Sequence, residues 1–300
     1  MGLSLCRQLF HSSPFLPTNT SASSPPSSPS FPPTSLFTSL STPPSMRLTT
    51  LLLQSPPVAP GDPRSSWSAV ESSPHMLVRD EGATVWRQPS EQSSDAARSS
   101  GGVRAGLHLW EVSWLVEQRG SHALLGVCTN GSARQASGYT ALVGGDSRSW
   151  GWELSTNQLW HDGKEVARYP TATEEHHHSH HHHHGTPMDI PERVVVALDA
   201  DAGTLGYVVE GCYLGVAFSG LPKGEELFLS VSCVWGGASI QLRYLGGMSR
   251  DPPSLMSLSR LSINQAMGRS RMSMTDRLPL PPVLQRFLEQ TQQRPVNTTS

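Results

Sequence analysis

From Gly106 the chain alternates with period two. His108, Trp110, Val112 and Trp114 fall on one side of an extended backbone, and Leu107, Leu109, Glu111 and Ser113 on the other, so a strand with both faces partly apolar is predicted. A continuous apolar run, His122 to Thr129, follows. Trp150, Trp152 and Leu154 then share one face while Gly151 and Glu153 share the other. Val194 to Leu198 and Leu205 to Val209 flank Asp199-Ala200-Asp201-Ala202-Gly203, a turn-rich link that predicts a hairpin. Cys212 to Phe218, Leu227 to Trp235 and Ile240 to Tyr244 continue the series of short strands. No sustained helical period is read before residue 250, so the fold class is all-β, an antiparallel sandwich spanning 61–249.

Beyond Pro252-Pro253 the period changes. Leu255, Leu258, Ser259, Ser262, Ile263, Ala266 and Met267 recur at steps of three and four, which marks an amphipathic helix that Gly268 can end. Leu278-Pro279-Leu280-Pro281-Pro282 cannot lie inside a helix. Pro282 can start one, with Val283, Leu284, Phe287 and Leu288 on its apolar side. This small helical module, 253–291, has too few apolar groups for a core of its own and must pack on the sandwich or on a partner. Residues 292–300 are read as a flexible tail.

Composition changes the picture at the other end. Residues 1–60 hold 14 Ser and 12 Pro but only two charged groups, Arg7 and Arg47, whereas all eight Trp lie between Trp67 and Trp235. Ordering a residue costs roughly 1–2 kcal/mol, which such a segment cannot offset, so 1–60 is expected to be a disordered tail. Eight of the 13 His cluster at His176–His178 and His180–His184, inside a loop at 170–190. A homopolymer gives no fixed ligand geometry, so no metal site and no cofactor is expected there.

A net charge of -2 and a pI near 6.7 argue against a nucleic-acid partner. Cys6, Cys128, Cys212 and Cys233 form no Cys-x-x-Cys pair, and the last three sit in apolar runs, which suits a reducing compartment. The opening Met1-Gly2-Leu3-Ser4-Leu5-Cys6 is a poor signal peptide, a poor myristoylation start because of Cys6, and too arginine-poor for a transit peptide. No window approaches the ~18 apolar residues of a membrane span. A soluble protein is expected, cytoplasmic, with the nucleus open as well, and with no membrane partner.

The strings RGSHALLGVCTNGSARQASGYTALVGGDSRSWGWEL, LWHDGK, VALDADAGTLGYVVEGCYLGVAFSGL and VSCVWG, in this order, closely resemble the SPRY domain-containing SOCS box proteins over about residues 67 to 290. The resemblance implies a SPRY β-sandwich that recognises a short peptide, followed by a SOCS box that binds elongin B, elongin C and a cullin with its RING protein. It therefore implies a non-catalytic substrate receptor of a ubiquitin ligase. The implied ligand is an acidic residue, an aliphatic residue and three asparagines, as in inducible nitric oxide synthase.

Carried over, the peptide pocket comprises Arg87, Pro89, Gln92, Ser121, Tyr139, Leu142, Val234, Trp235 and Gly236. Asparagine-rich peptides bring amide donors and acceptors that cost about 1–3 kcal/mol each if buried unpaired, so such a pocket needs fixed polar partners. Tyr139 and Trp235 are the expected aromatic anchors and Arg87 an expected donor fork, whereas Trp110 and Trp152 are assigned to the core. Ser90 and Glu91 stand where the family carries a small apolar pair, which puts a carboxylate at the expected rim.

The resemblance places elongin binding on Leu255, Leu258, Ser259 and Ile263, with Leu255 as anchor, and cullin binding on Leu278, Pro279, Leu280 and Pro281. Ser259 replaces a cysteine common in the family, which exchanges a soft apolar thiol for a hydroxyl that needs a partner. The scattered cysteines build no RING, and there is no Gly-x-Ser-x-Gly, Walker A or His-Glu-x-x-His motif, so nothing supports intrinsic catalysis. Two alternatives are a SPRY scaffold uncoupled from a ligase and a β-sandwich lectin, the latter leaving 253–290 unexplained.

Overall fold

The computed structural model describes residues 36–54, 58–171 and 187–249, together with 259, 262–263 and 279–289. The expectations for residues 1–35, the histidine tract, Leu255, Leu258, Leu278 and the 292–300 tail lie outside the described residues.

Two seven-stranded sheets face one another. The first runs in the order β1 (Met76–Arg79), β2 (Thr84–Arg87), β14 (Ser239–Met248), β4 (Leu107–Trp114), β10 (Arg193–Asp199), β11 (Thr204–Val209) and β12 (Cys212–Ser219). The second runs β6 (Gln135–Ser137), β3 (Ser93–Arg98), β13 (Phe228–Cys233), β5 (Leu124–Cys128), β7 (Ser149–Glu153), β8 (Gln158–His161) and β9 (Lys164–Arg168). Neighbours in these orders pair antiparallel. The β10–β11 hairpin turns where the sequence places it, because Asp199 Oδ1 accepts the amides of Asp201 and Ala202 and so closes the turn with its own side chain.

Between the sheets lies a core in which Trp67, Trp110, Trp114 and Trp152 are fully buried. Their polar edges are satisfied where the fold supplies a carbonyl: Trp67 Nε1 donates to Ile240 O (3.1 Å) and Trp110 Nε1 to Arg64 O (3.0 Å). Tyr207 packs its ring 4.7 Å from that of Trp152 and donates its hydroxyl across the sandwich to Leu125 O at 2.8 Å, which ties the two sheets together. Cys128 and Cys233 are buried free thiols, and Cys212 is buried as well. Burial pushes Cys128 up to about 11 and Cys233 to about 12, so both behave as small hydrophobes.

The two faces of β4 have separate destinations. Trp110, Val112 and Trp114 enter the central core, while Leu107 and Leu109 join Val195, Ala197 and Val208 on the outer face of the same sheet. That outer patch is covered by an N-terminal helix, which corrects the expectation that residues 1–60 are disordered throughout. After a short turn α1 (Leu36–Ser39), helix α2 (Met46–Gln54) lays Leu48 and Leu51 on the patch, with Leu52 beside them. Arg47 fixes its start by pairing with Asp199 (3.3 Å) and Asp201 (3.1 Å) and donating to Met248 O. The physical reason is that a partly apolar outer face on β4 and β10 must be shielded from water, and the nearest apolar segment in the chain does so.

Candidate functional site: a cleft of loops at one end of the sandwich

Four segments meet where β2, β4, β13 and β14 begin or end. Arg87, the last residue of β2, donates its amide to Ala238 O and accepts from Gly237 N, which locks the 234–238 loop against it. The following turn, Gln88 to Gln92, then runs so close to this loop that a Cβ on Gly236 would sit 2.8 Å from Pro89 Cα, so only glycine fits. Opposite, Gly138 N donates to Gln92 O (2.7 Å), and Gln92 N donates to the Tyr139 hydroxyl (3.2 Å). Ser94 Oγ accepts from Thr140 N at 2.8 Å and lies 3.0 Å from the carbonyl oxygens of both Gly138 and Thr140.

The fourth wall is the 115–121 segment. Gln118 Oε1 accepts the amide of Ser239, and Gly120, at φ +59°, lies under the Trp235 ring, where a Cβ would be 3.0 Å from Cε3. Trp235 thus rests edgewise on backbone and still leaves 49% of its surface open, and Tyr139 leaves 53%. Large aromatics held this firmly and this exposed are what a recognition surface needs, since they offer contact area with little rotamer entropy left to lose.

Of the residues assigned to the pocket, Pro89, Gln92, Ser121, Tyr139, Trp235 and Gly236 are exposed and Val234 is half-buried, all within these segments. Two of the assigned residues are buried instead. Arg87 is 0% exposed and offers no free fork. Its Nε donates to Asp95 Oδ2 (3.0 Å), with which Nη2 is also ion-paired at 2.8 Å, while Nη2 donates to Ser93 O (2.8 Å) and Ser90 O (3.2 Å) and Nη1 to Gln88 O (3.4 Å). It therefore shapes the Gln88–Gln92 turn from behind. Leu142 is likewise buried, packed with Ala96, Leu124 and Val143, because the chain turns inward after Tyr139.

The sequence reading missed Asp95, the centre of this arrangement. It is fully buried on β3, opposite Cys233 of β13. Its Oδ1 accepts from Ser73 Oγ (2.5 Å) and Gln135 Nε2 (3.0 Å) and lies 3.1 Å from His75 Nδ1, while Oδ2 takes Arg87. Burial alone pushes its carboxyl up, but the hydrogen bonds from Ser73 and Gln135 and the Arg87 charge together hold it below the ordinary carboxylate value. Arg119, also buried and missed, clamps the fourth wall by donating to Trp114 O (2.9 Å), Ile190 O (2.5 Å) and Pro191 O (2.7 Å). Burial brings its pKa down to about 10.

In the C-terminal module, Ser259, Ser262 and Ile263 are helical and exposed, and helix α3 (Pro282–Glu289) begins at the proline that the sequence marks as a start, with Leu284 N and Gln285 N donating to Pro281 O. Val283 and Leu284 are exposed, as are Pro279 and Pro281, with Leu280 half-buried. A separate cavity of about 470 Å3, lined by Thr129, Asn130, Arg148, Trp150, Pro222 and Glu225, lies at the far end of the sandwich, because Cys128 pairs with Phe228 and Leu124 with Ser232. Among the described residues no group of three His, Cys, Asp or Glu is placed to hold a metal, and no helix is long and apolar enough to cross a membrane.

Comparison with known proteins gives this architecture its class. The SPRY domain model matches residues 107–244 and the SOCS box model residues 251–289. The sandwich is also similar to the crystal structure of the SPRY domain of human HERC1, at 16% identity and a TM-score of 0.44, covering 62% of this chain and 99% of that one. The two family matches define a SPRY β-sandwich carrying a SOCS box. Human SPRY domain-containing SOCS box protein 2 is 40% identical over 258 residues, 85% of this chain and 93% of the relative. Human SPRY domain-containing SOCS box protein 1 is 40% identical over 242 residues, 79% and 85%. The chain belongs to the SPRY domain-containing SOCS box protein family. Its domain pair is that of a SOCS-box ubiquitin ligase substrate receptor rather than a catalytic enzyme: the SOCS box implies assembly with elongin B, elongin C and a cullin, and the SPRY domain implies a substrate-binding role.

Proposed function

We propose that the end cleft captures short asparagine-rich peptide segments of substrate proteins, of the kind found in inducible nitric oxide synthase, and that the captured protein is ubiquitinated and sent for proteasomal degradation. The observation that carries this reading is the pair of half-exposed aromatics, Tyr139 and Trp235, held on opposite walls by backbone hydrogen bonds and glycine contacts. Pro89, Gln92, Ser121, Val234 and Gly236 border them, with the Gln92 and Ser121 side chains and the 234–236 loop backbone offered to pair with side-chain amides of a ligand. Arg87 and Leu142 take part as supports.

The C-terminal module is assigned the second grip. Leu255, Leu258, Ser259 and Ile263 form the proposed elongin C contact, and Leu278, Pro279, Leu280 and Pro281 the proposed cullin contact, the prolines presenting their leucines on a pre-set backbone. Holding a substrate lysine beside an activated ubiquitin raises its effective concentration, so a receptor of this type contributes proximity alone. We place its action in the cytoplasm, where buried free thiols such as Cys128 and Cys233 persist.

The test is a titration of an Asn-Asn-Asn-containing peptide against the wild-type chain and Tyr139→Ala, with urea unfolding as the folding control. The reading expects saturable binding that the substitution weakens at least tenfold at unchanged stability. Equal affinities of the two proteins would overturn it.

A further inference from the structure

The cleft bears an unusual distribution of charge. On its four segments, 88–92, 115–122, 138–142 and 234–239, the acidic and basic side chains, histidine included, are Glu91, Glu117, Arg119 and His122. Arg119 is buried and donates to three carbonyls, and His122 lies 3.0 Å from the buried Glu153 carboxylate. Arg87 beneath the floor is fully buried and matched by Asp95. The two side chains that remain exposed to an incoming ligand, Glu91 and Glu117, are both carboxylates. Glu91 directly precedes Gln92, whose amide donates to the Tyr139 hydroxyl, so it stands at the foot of one aromatic anchor; Glu117 belongs to the segment on which the other anchor rests.

From this distribution we infer that the cleft selects peptides carrying a lysine or arginine beside the asparagine core and disfavours those carrying an acidic residue there, with Glu91 as the principal specificity-determining residue. The inference rests on the peptide-capture reading above, keeps its three-asparagine core, and departs from the acidic first residue that the family resemblance implies. On these four segments a ligand carboxylate meets two carboxylates and no exposed Lys or Arg, whereas an ammonium or guanidinium meets complementary charge. The contact is solvent-exposed, so the effect is modest and screened by salt.

The experiment uses the full chain and fluorescent peptides of one sequence with a three-asparagine core, flanked on either side by Lys, Asn or Asp, titrated by fluorescence anisotropy at 50 and 500 mM NaCl. At low salt the Lys peptide is expected to bind about three- to tenfold more tightly than the Asp peptide, with the Asn peptide between them. At high salt the three should converge. Glu91→Ala should compress the low-salt spread and Glu91→Lys should invert the order, while neither changes the urea midpoint. Binding of all three with equal affinity, or an unchanged order in Glu91→Lys, overturns the charge inference and leaves peptide capture standing. No binding of any peptide to wild type or to either variant overturns both.

Discussion

Replacing Asp95 by asparagine tests how the cleft is built. Both carboxylate oxygens face donors: Ser73 Oγ and Gln135 Nε2 on Oδ1, and the Arg87 guanidinium on Oδ2. An amide in the same place can keep its carbonyl on Arg87 only by turning its NH2 toward Ser73, His75 and Gln135, which must then reverse their roles from donor to acceptor, and it carries no charge. The Arg87 charge then stays buried without its counter-ion, which costs about 3–5 kcal/mol. For a domain of this size each kcal/mol lowers Tm by about 2–4 °C, so Asp95→Asn should melt about 6–20 °C below wild type. The Gln88–Gln92 turn hangs on the same guanidinium, and re-ordering even one freed residue, at about 1–2 kcal/mol, should weaken peptide binding about five- to thirtyfold.

The same residue fixes an acid limit. A carboxyl held below its ordinary value of 3.8 contributes stability that is present in full above that value and is lost as pH falls through the lower, folded value. Asp62 and Asp146 are held below the ordinary value as well, so tryptophan fluorescence in urea, followed from pH 7 to pH 2.5, should show a wild-type decline below about pH 4 that Asp95→Asn makes shallower without removing it. The double variant Asp95→Leu with Arg87→Met, which removes both charges, should recover part of the lost stability. A cost below about 1 kcal/mol for Asp95→Asn, or an identical acid limb, would refute the reasoning.

Further expectations concern the frame. Leu51→Ala, which uncovers the outer face of β4 and β10, should cost about 2–3 kcal/mol in thermal unfolding and expose the bond after Arg47 to trypsin; an unchanged melt would show that α2 does not seal that face. His108 donates from Nε2 to Ala105 O and receives the Tyr244 hydroxyl at Nδ1 (2.7 Å), and burial keeps its pKa below the ordinary 6.5. The unfolded chain therefore takes up this proton first, so stability should fall as pH drops through about 6.5, and His108→Gln should flatten that slope in urea titrations. Cys128 and Cys233 should resist alkylation in the native protein and react within minutes in 8 M urea, as mass spectrometry would show.

How far the sequence could be read depended on whether the signal was local. Period two in β4, the Asp199 turn and the proline at the start of α3 are local, and each element lies where its residues put it. Trp110 and Trp152 could be assigned to the core and Trp235 to the surface because neighbouring glycines, not alternating apolar positions, flank the last. The spacing of Leu48, Leu51 and Leu52 was equally local but was masked by the Ser/Pro-rich composition around it. The buried Arg87–Asp95 pair was not legible, since whether a guanidinium turns outward or inward depends on Ser73, Gln135 and β13, all distant in sequence.

The account stands or falls on two independent grips. The direct measurement is a paired capture assay with the full chain: retention on immobilised elongin B and C, and binding of the three-asparagine peptide, for wild type, Leu255→Ala and Tyr139→Ala, each verified as folded by urea titration. The account predicts that Leu255→Ala loses elongin and keeps the peptide, and that Tyr139→Ala keeps elongin and loses the peptide. Loss of both activities in either folded variant, or retention of both, would contradict it.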